Sequence, residues 1–181
     1  MKVIAKAAPP APAAPPISGA FELIDHHGVA VNERSYGERH LLVFFGFTNC
    51  AVVCPRELAK LSHVLTLLGP QADQLQVLYV TVDPSRDTPP VMQTYLSRID
   101  RRFIGLTGTT EQIEKAKKAY RAFAAVVSDS TAPGGYVVPH TAFAYLMAPG
   151  GRYLSHFANS LTEHEIVRRF GRWLDVAGVA L

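Results

Sequence analysis

The stretch Leu41-Leu42-Val43-Phe44-Phe45-Gly46-Phe47-Thr48-Asn49-Cys50-Ala51-Val52-Val53-Cys54-Pro55 decides how this chain folds. Its first seven residues are a continuous apolar run of strand length, as expected of a central strand covered on both faces. From Pro55 onward, Leu58, Leu61, Leu65 and Leu68 recur at steps of three and four, and Gly69-Pro70 stops the pattern as a helix terminator does. A buried strand therefore runs into a helix, and two cysteines occupy the turn between them.

Working outward, Leu75 to Val82 reads as the next buried strand, ending in Asp83-Pro84, and Val91 to Ile99 as a short helix after the Pro89-Pro90 break. Phe103 to Leu106 is a short strand. Glu111 to Phe123 is an amphipathic helix opened by a capping box of Thr109 and Gln112. Ala124 to Val127 reads as a small strand, and Ser128 to Pro139, polar and rich in Gly and Pro, as an irregular loop of a length that often carries function. Thr141 to Met147 and Arg152 to His156 flank the hairpin signal Ala148-Pro149-Gly150-Gly151, and a capping box of Thr162 and Glu165 opens a C-terminal helix through Val176. On the N-terminal side, Phe21 to Ile24 and Val29 to Val31 form a hairpin around Asp25-His26-His27-Gly28. This order predicts an α/β fold: a thioredoxin-like central sheet flanked by helices, with an N-terminal β-hairpin extension.

The 181 residues, 48% of them hydrophobic, suit one domain. We place it at 19–181, preceded by an Ala/Pro-rich tether at 1–18 that has no apolar core of the kind a signal peptide carries. Eighteen Lys and Arg against fifteen Asp and Glu leave a formal charge of +3, too small and too scattered to favour nucleic acid as a partner. No run approaches the roughly 18–20 apolar residues of a membrane span, so the chain as given is expected to be soluble. Two cysteines are too few for a disulfide framework and point to a single redox or metal pair.

Cys50 and Cys54 lie four residues apart where the helix begins, so both sulfurs fall near its positive end, where thiolates are favoured. Two soft thiolates suit Cu(I) or zinc. The alternative is a pair of buried apolar cysteines, which the turn position and Pro55 disfavour. A third donor is needed, and His140 is the candidate: it follows the long loop and opens a strand that would lie beside the cysteines. Its rivals are less well placed. His26 and His27 sit in a turn, His40 precedes a strand, His63 lies in the first helix, and His156 and His164 come near the C-terminus.

The ordered set Phe44-Phe45-Gly46-Phe47-Thr48-Asn49-Cys50, Cys54-Pro55, Val82-Asp83-Pro84-Ser85-Arg86-Asp87-Thr88-Pro89, Gly105-Leu106-Thr107-Gly108 and His140 before Tyr145-Leu146 resembles the Sco/SenC family from about Phe21 to the C-terminus. The resemblance implies a thioredoxin-like protein that binds copper through Cys50, Cys54 and His140. It further implies membrane anchoring and a periplasmic setting, or less commonly the mitochondrial intermembrane space. The implied task is assembly of the binuclear copper centre of cytochrome c oxidase, by copper delivery, by reduction of that centre's cysteines, or both. Implied partners are the copper-binding subunit of the oxidase and an upstream copper donor or thiol reductant; a monomer is expected. Two departures stand out. The family usually carries Pro and an acidic residue after the first cysteine, where this chain has Ala51 and Val52, and Asp before the histidine, where it has Pro139. Pro139 is also a candidate for a cis peptide beside the cysteines.

Two functions compete. A copper metallochaperone uses all three residues; a thiol–disulfide oxidoreductase uses Cys50 and Cys54 as its redox-active pair and has no need of His140. The three-residue spacing closes a larger ring than the two-residue spacing of redox thioredoxins and favours metal. A thiol peroxidase is rejected, since its motif needs Thr and Pro three and seven residues before the cysteine, where this chain has Phe47 and Val43. Structural zinc is disfavoured for want of a fourth ligand. Asp83 and Asp87 are read as chemistry of a strand-to-helix turn, with metal or partner contact as the alternative.

Overall fold

The computed structural model describes residues 16–132 and 135–174. A seven-stranded mixed sheet organises them. Its members are β1 (Glu22–Asp25), β2 (Ala30–Asn32), β3 (His40–Gly46), β4 (Leu75–Thr81), β5 (Ile104–Thr107), β8 (Phe143–Met147) and β9 (Tyr153–Ala158), in the order β2-β1-β5-β4-β3-β8-β9. β3, β4 and β5 are mutually parallel at the centre; the hairpins β1–β2 and β8–β9 add antiparallel edges on either side. The fold is thioredoxin-like, and the N-terminal hairpin is an extension of the same sheet.

Helices α1 (Val53–Leu68), α2 (Pro89–Ser97) and α4 (Glu163–Phe170) cover one face, and α3 (Thr110–Tyr120) covers the other. Because side chains alternate along a strand, Leu42 and Phe44 enter the core under α1 and α4, while Leu41, Val43 and Phe45 enter the core under α3. With both faces covered, every position of β3 from Leu41 to Phe45 is apolar and fully buried. Cys50 packs against both cores, so the turn after β3 sits at the end of the sheet where the two layers meet.

Both capping boxes form: Thr109 Oγ1 accepts from Gln112 N at 3.2 Å, and Thr162 Oγ1 from Glu165 N at 3.3 Å. Several boundaries differ from expectation: α1 starts at Val53 and so takes in Cys54, and the strand expected at Ala124 to Val127 is Val127–Ser128, with Ala124 in an isolated bridge. α2 starts at Pro89, since prolines in a first turn lack only an N–H that would have no intrahelical partner. α3 ends at Tyr120, where Arg121 turns left-handed with φ 55°. α4 ends at Phe170; residues 171–174 follow as turns and bends, and Val176 lies outside the described residues. The segment 128–139 is not irregular throughout: β6 (Val127–Ser128) pairs antiparallel with β7 (Tyr136–Val137). Two-residue strands leave no hydrophobic alternation to read. Of the tether, residues 1–15 lie outside the described residues; Ile17 packs on the second core and Ser18 N donates to Ala119 O at 3.0 Å. Among the described residues, no helix is long and apolar enough to cross a membrane.

Candidate metal centre

β3 delivers the chain to the site and α1 receives it. Val52, at the N-cap, contributes no side-chain cap, so the first-turn N–H groups of α1 are left to another acceptor. Cys50 supplies it: Cys54 N lies 3.5 Å from Cys50 Sγ. The Cys54 thiol and the backbone N–H groups of Cys54, Val52 and Val53 converge on the Cys50 sulfur and pull its pKa down to about 5 against the opposing effect of burial. Cys54 goes the other way. It is buried, its thiol proton is held by Cys50, and both effects push its pKa well up. The sequence placed both sulfurs where thiolates are favoured; the fold gives one thiolate, Cys50, hydrogen-bonded by one thiol, Cys54. Both cysteines are free.

His140 reaches the pair from the other side. It opens no strand, since β8 starts at Phe143; it forms an isolated antiparallel bridge with Ala124. Ala125 N to Pro139 O at 3.1 Å and Thr141 N to Phe123 O at 2.9 Å pin the backbone on both sides. The imidazole Nδ1 lies 2.9 Å from Val138 O. A carbonyl only accepts, so Nδ1 carries the proton and Nε2 keeps its lone pair. That lone pair lies 3.6 Å from Cys54 Sγ, with the edge-to-face ring of Phe47 5.6 Å away fixing the imidazole plane. The peptide before Pro139 is trans, contrary to the cis expectation, and the histidine is brought in by the Val138 carbonyl and the Ala124 bridge.

Asp87 is fully buried and ties the cysteine turn to β4: it accepts from Thr48 N at 3.0 Å, Thr48 Oγ1 at 2.5 Å and Thr81 Oγ1 at 2.6 Å. Asp83 accepts from Ser85 Oγ at 2.8 Å, from Arg86 Nε, and from Tyr136 Oη at 3.1 Å. The Arg86 guanidinium lies 3.9 Å from the centre of the Tyr136 ring, clamping the β6–β7 hairpin beside the site. Asp87 thus holds the cysteine turn, and Asp83 holds the turn after β4 and the β6–β7 hairpin. Thr48, Thr81 and Tyr136 were not singled out from sequence, because their importance lies in partners 39, 6 and 53 residues away. Gly46 did carry a signal: a glycine in a buried strand marks a close approach. A Cβ there would lie 2.8 Å from Cys54 Sγ.

The three residues meet pairwise, Cys50 with Cys54 and Cys54 with His140. They do not form a closed cage: among the described residues no group of three or more His, Cys, Asp and Glu is drawn together as a preformed ion site. A cavity of about 600 Å³ opens over Cys50 and His140, with Cys54 buried beneath, walled by Phe47, Val52, Val137, Val138 and Pro139, and His140 is the histidine that lines it. Its apolar wall includes Ala51, Val52 and Pro139, the positions that depart from the family pattern. Two sulfurs and one imidazole nitrogen make a soft donor set that suits copper.

A family model described as SCO1/SenC matches residues 9–175. A SCO2-like protein of Rickettsia prowazekii is 34% identical over 154 residues, 85% of this chain and 75% of the relative. The structure of Bradyrhizobium japonicum ScoI with copper bound superposes with a TM-score of 0.79 at 39% identity, covering 88% of this chain and all of that one. BsSco, described as a Sco-family cytochrome c oxidase assembly protein with a disulfide switch, shares the fold at 22% identity, covering 86% of this chain and 91% of its own, with a TM-score of 0.66.

Proposed function

The chain belongs to the SCO1/SenC family, and from that premise we propose that it is a copper metallochaperone holding its cargo between Cys50, Cys54 and His140. The observation that carries the reading is the 3.6 Å approach of His140 Nε2, lone pair exposed, to Cys54 Sγ. The Cys50 thiolate, half-buried at the cavity, is the first donor an incoming Cu(I) meets. Binding to Cys54 displaces its proton to solvent, and His140 Nε2 completes a three-donor set with no further proton to lose. Release to an acceptor reverses these steps, one ligand at a time. The proposed acceptor is the copper-binding subunit of cytochrome c oxidase, and the proposed setting is periplasmic, with the domain tethered to the inner membrane.

One observation favours a second reading, thiol–disulfide exchange with the acceptor's cysteines. An accessible low-pKa Cys50 beside a buried, protonated Cys54 is the division of labour that exchange needs: the thiolate attacks a partner disulfide, and the second sulfur then resolves the mixed disulfide. His140→Ala separates the two. Cu(I) and Cu(II) affinity should fall at least ~10-fold, and the Cu(II) spectrum should lose its nitrogen contribution, while disulfide reduction continues. Unchanged copper affinity and spectrum with lost reductase activity would replace the metallochaperone reading by the exchange reading.

A further inference from the structure

Tyr79, on β4, is completely buried; its hydroxyl makes no hydrogen bond of ordinary geometry among the described residues, and the group it acts on is the Cys54 sulfur. The ring is held between Phe44 at 6.1 Å and Tyr95 at 6.0 Å, which fixes where its hydroxyl points. It points at the cysteine site: a Cβ on Gly46 would lie 2.6 Å from Tyr79 Oη and 2.8 Å from Cys54 Sγ, so the two atoms border one gap left open by the missing side chain. Asp87, the buried carboxylate nearby, already accepts from Thr48 and Thr81.

We propose that Tyr79 is a positioning residue for Cys54, its hydroxyl donating a hydrogen bond to Cys54 Sγ in the copper-loaded protein and holding that sulfur toward His140. A sulfur bound to copper carries more negative charge than a thiol and accepts more strongly, so loading turns this weak contact into a full hydrogen bond. The copper part rests on the metallochaperone reading. The contact with the sulfur does not, because the same hydrogen bond favours the reduced pair over its disulfide.

The test compares Tyr79→Phe with Tyr95→Phe, each of which deletes one buried hydroxyl that makes no hydrogen bond of ordinary geometry, and keeps the ring and its packing. For Tyr79→Phe, Cu(I) affinity measured against a chromogenic chelator should drop about tenfold. The thiolate-to-Cu(II) absorption should move to longer wavelength, since a sulfur stripped of a hydrogen bond gives up charge more easily. Without copper, the equilibrium of Cys50 and Cys54 with glutathione should shift about fivefold toward the disulfide, ~20 mV in potential. Tyr95→Phe should match wild type in all three. Wild-type values for Tyr79→Phe, or equal shifts from Tyr95→Phe, would overturn the proposal. If the wild-type protein takes up no copper, the metallochaperone reading fails, and the glutathione equilibrium still decides the role of Tyr79.

Discussion

Thr48 and Asp87 are joined twice, through the Thr48 backbone N–H at 3.0 Å and its hydroxyl at 2.5 Å, although 39 residues separate them. This pair anchors the turn that carries Cys50 to the end of β4. Asp87→Ala leaves three buried donors without their acceptor, at about 1–3 kcal/mol each where water does not replace it. The urea midpoint should fall clearly, and copper affinity should fall with it as the turn loosens. A variant of wild-type stability would show that Asp87 does not hold the turn.

Asp87 also makes a pH prediction opposite to that of an ordinary carboxylate. Burial raises its folded pKa above 3.8, so its favourable contribution is present below 3.8 and declines as pH rises through the folded value. Asp87→Asn lacks that term. The stability of wild type relative to Asp87→Asn should therefore be greatest in acid and decrease toward neutrality; urea titrations of both proteins across that range measure it. A difference independent of pH would contradict it.

The Cys50 sulfur is a thiolate through the neutral range, its pKa drawn down to about 5 chiefly by the Cys54 thiol. Alkylation by iodoacetamide should be confined to Cys50, half-maximal in rate near pH 5 and flat above about pH 6, with Cys54 unmodified in the folded protein. Cys54→Ala removes the leading donor and leaves burial opposed only by the backbone N–H groups, so the midpoint should move upward. An unmoved midpoint would mean that the helix terminus alone sets the value.

The same asymmetry fixes the proton count of loading. Cys50 has already lost its proton near neutral pH and Cys54 has not, so Cu(I) uptake near pH 8, where a free imidazole is neutral, should release about one proton per copper. Titration in buffers of different ionisation enthalpy reads this directly. Release of two protons would show that the Cys50 thiolate is not preformed.

Gly46→Ala places a methyl 2.6 Å from Tyr79 Cε2 and 2.8 Å from Cys54 Sγ, both on buried side chains with little room to yield. Overpacking of this kind costs roughly 1–3 kcal/mol. The melting temperature should fall and copper affinity should drop by more than the stability loss accounts for, since the displaced atom is a proposed ligand. Retention of both would show that the gap beside Cys54 is slack.

The layer order of this protein is legible in its sequence, because the signals for it are local. A two-sided apolar run at β3, leucines at helical spacing in α1 and two capping boxes each announce themselves within a few residues, and the elements they define pack in one way. The turn holding Cys50 was legible for the same reason, although Cys54 falls inside the first turn of α1. The β6–β7 pairing was not, since two strands of two residues have no periodicity. The asymmetry of the cysteines, the proton on Nδ1 of His140 and the approach of the Tyr79 hydroxyl to Cys54 come from contacts across the fold. Each depends on which atom from a distant segment, the Val138 carbonyl or the gap at Gly46, is brought within a few ångströms, and on how far water is excluded there. Hydrogen bonding and desolvation act over those distances and set charge and tautomer, and neither is written in the spacing of residues along a chain.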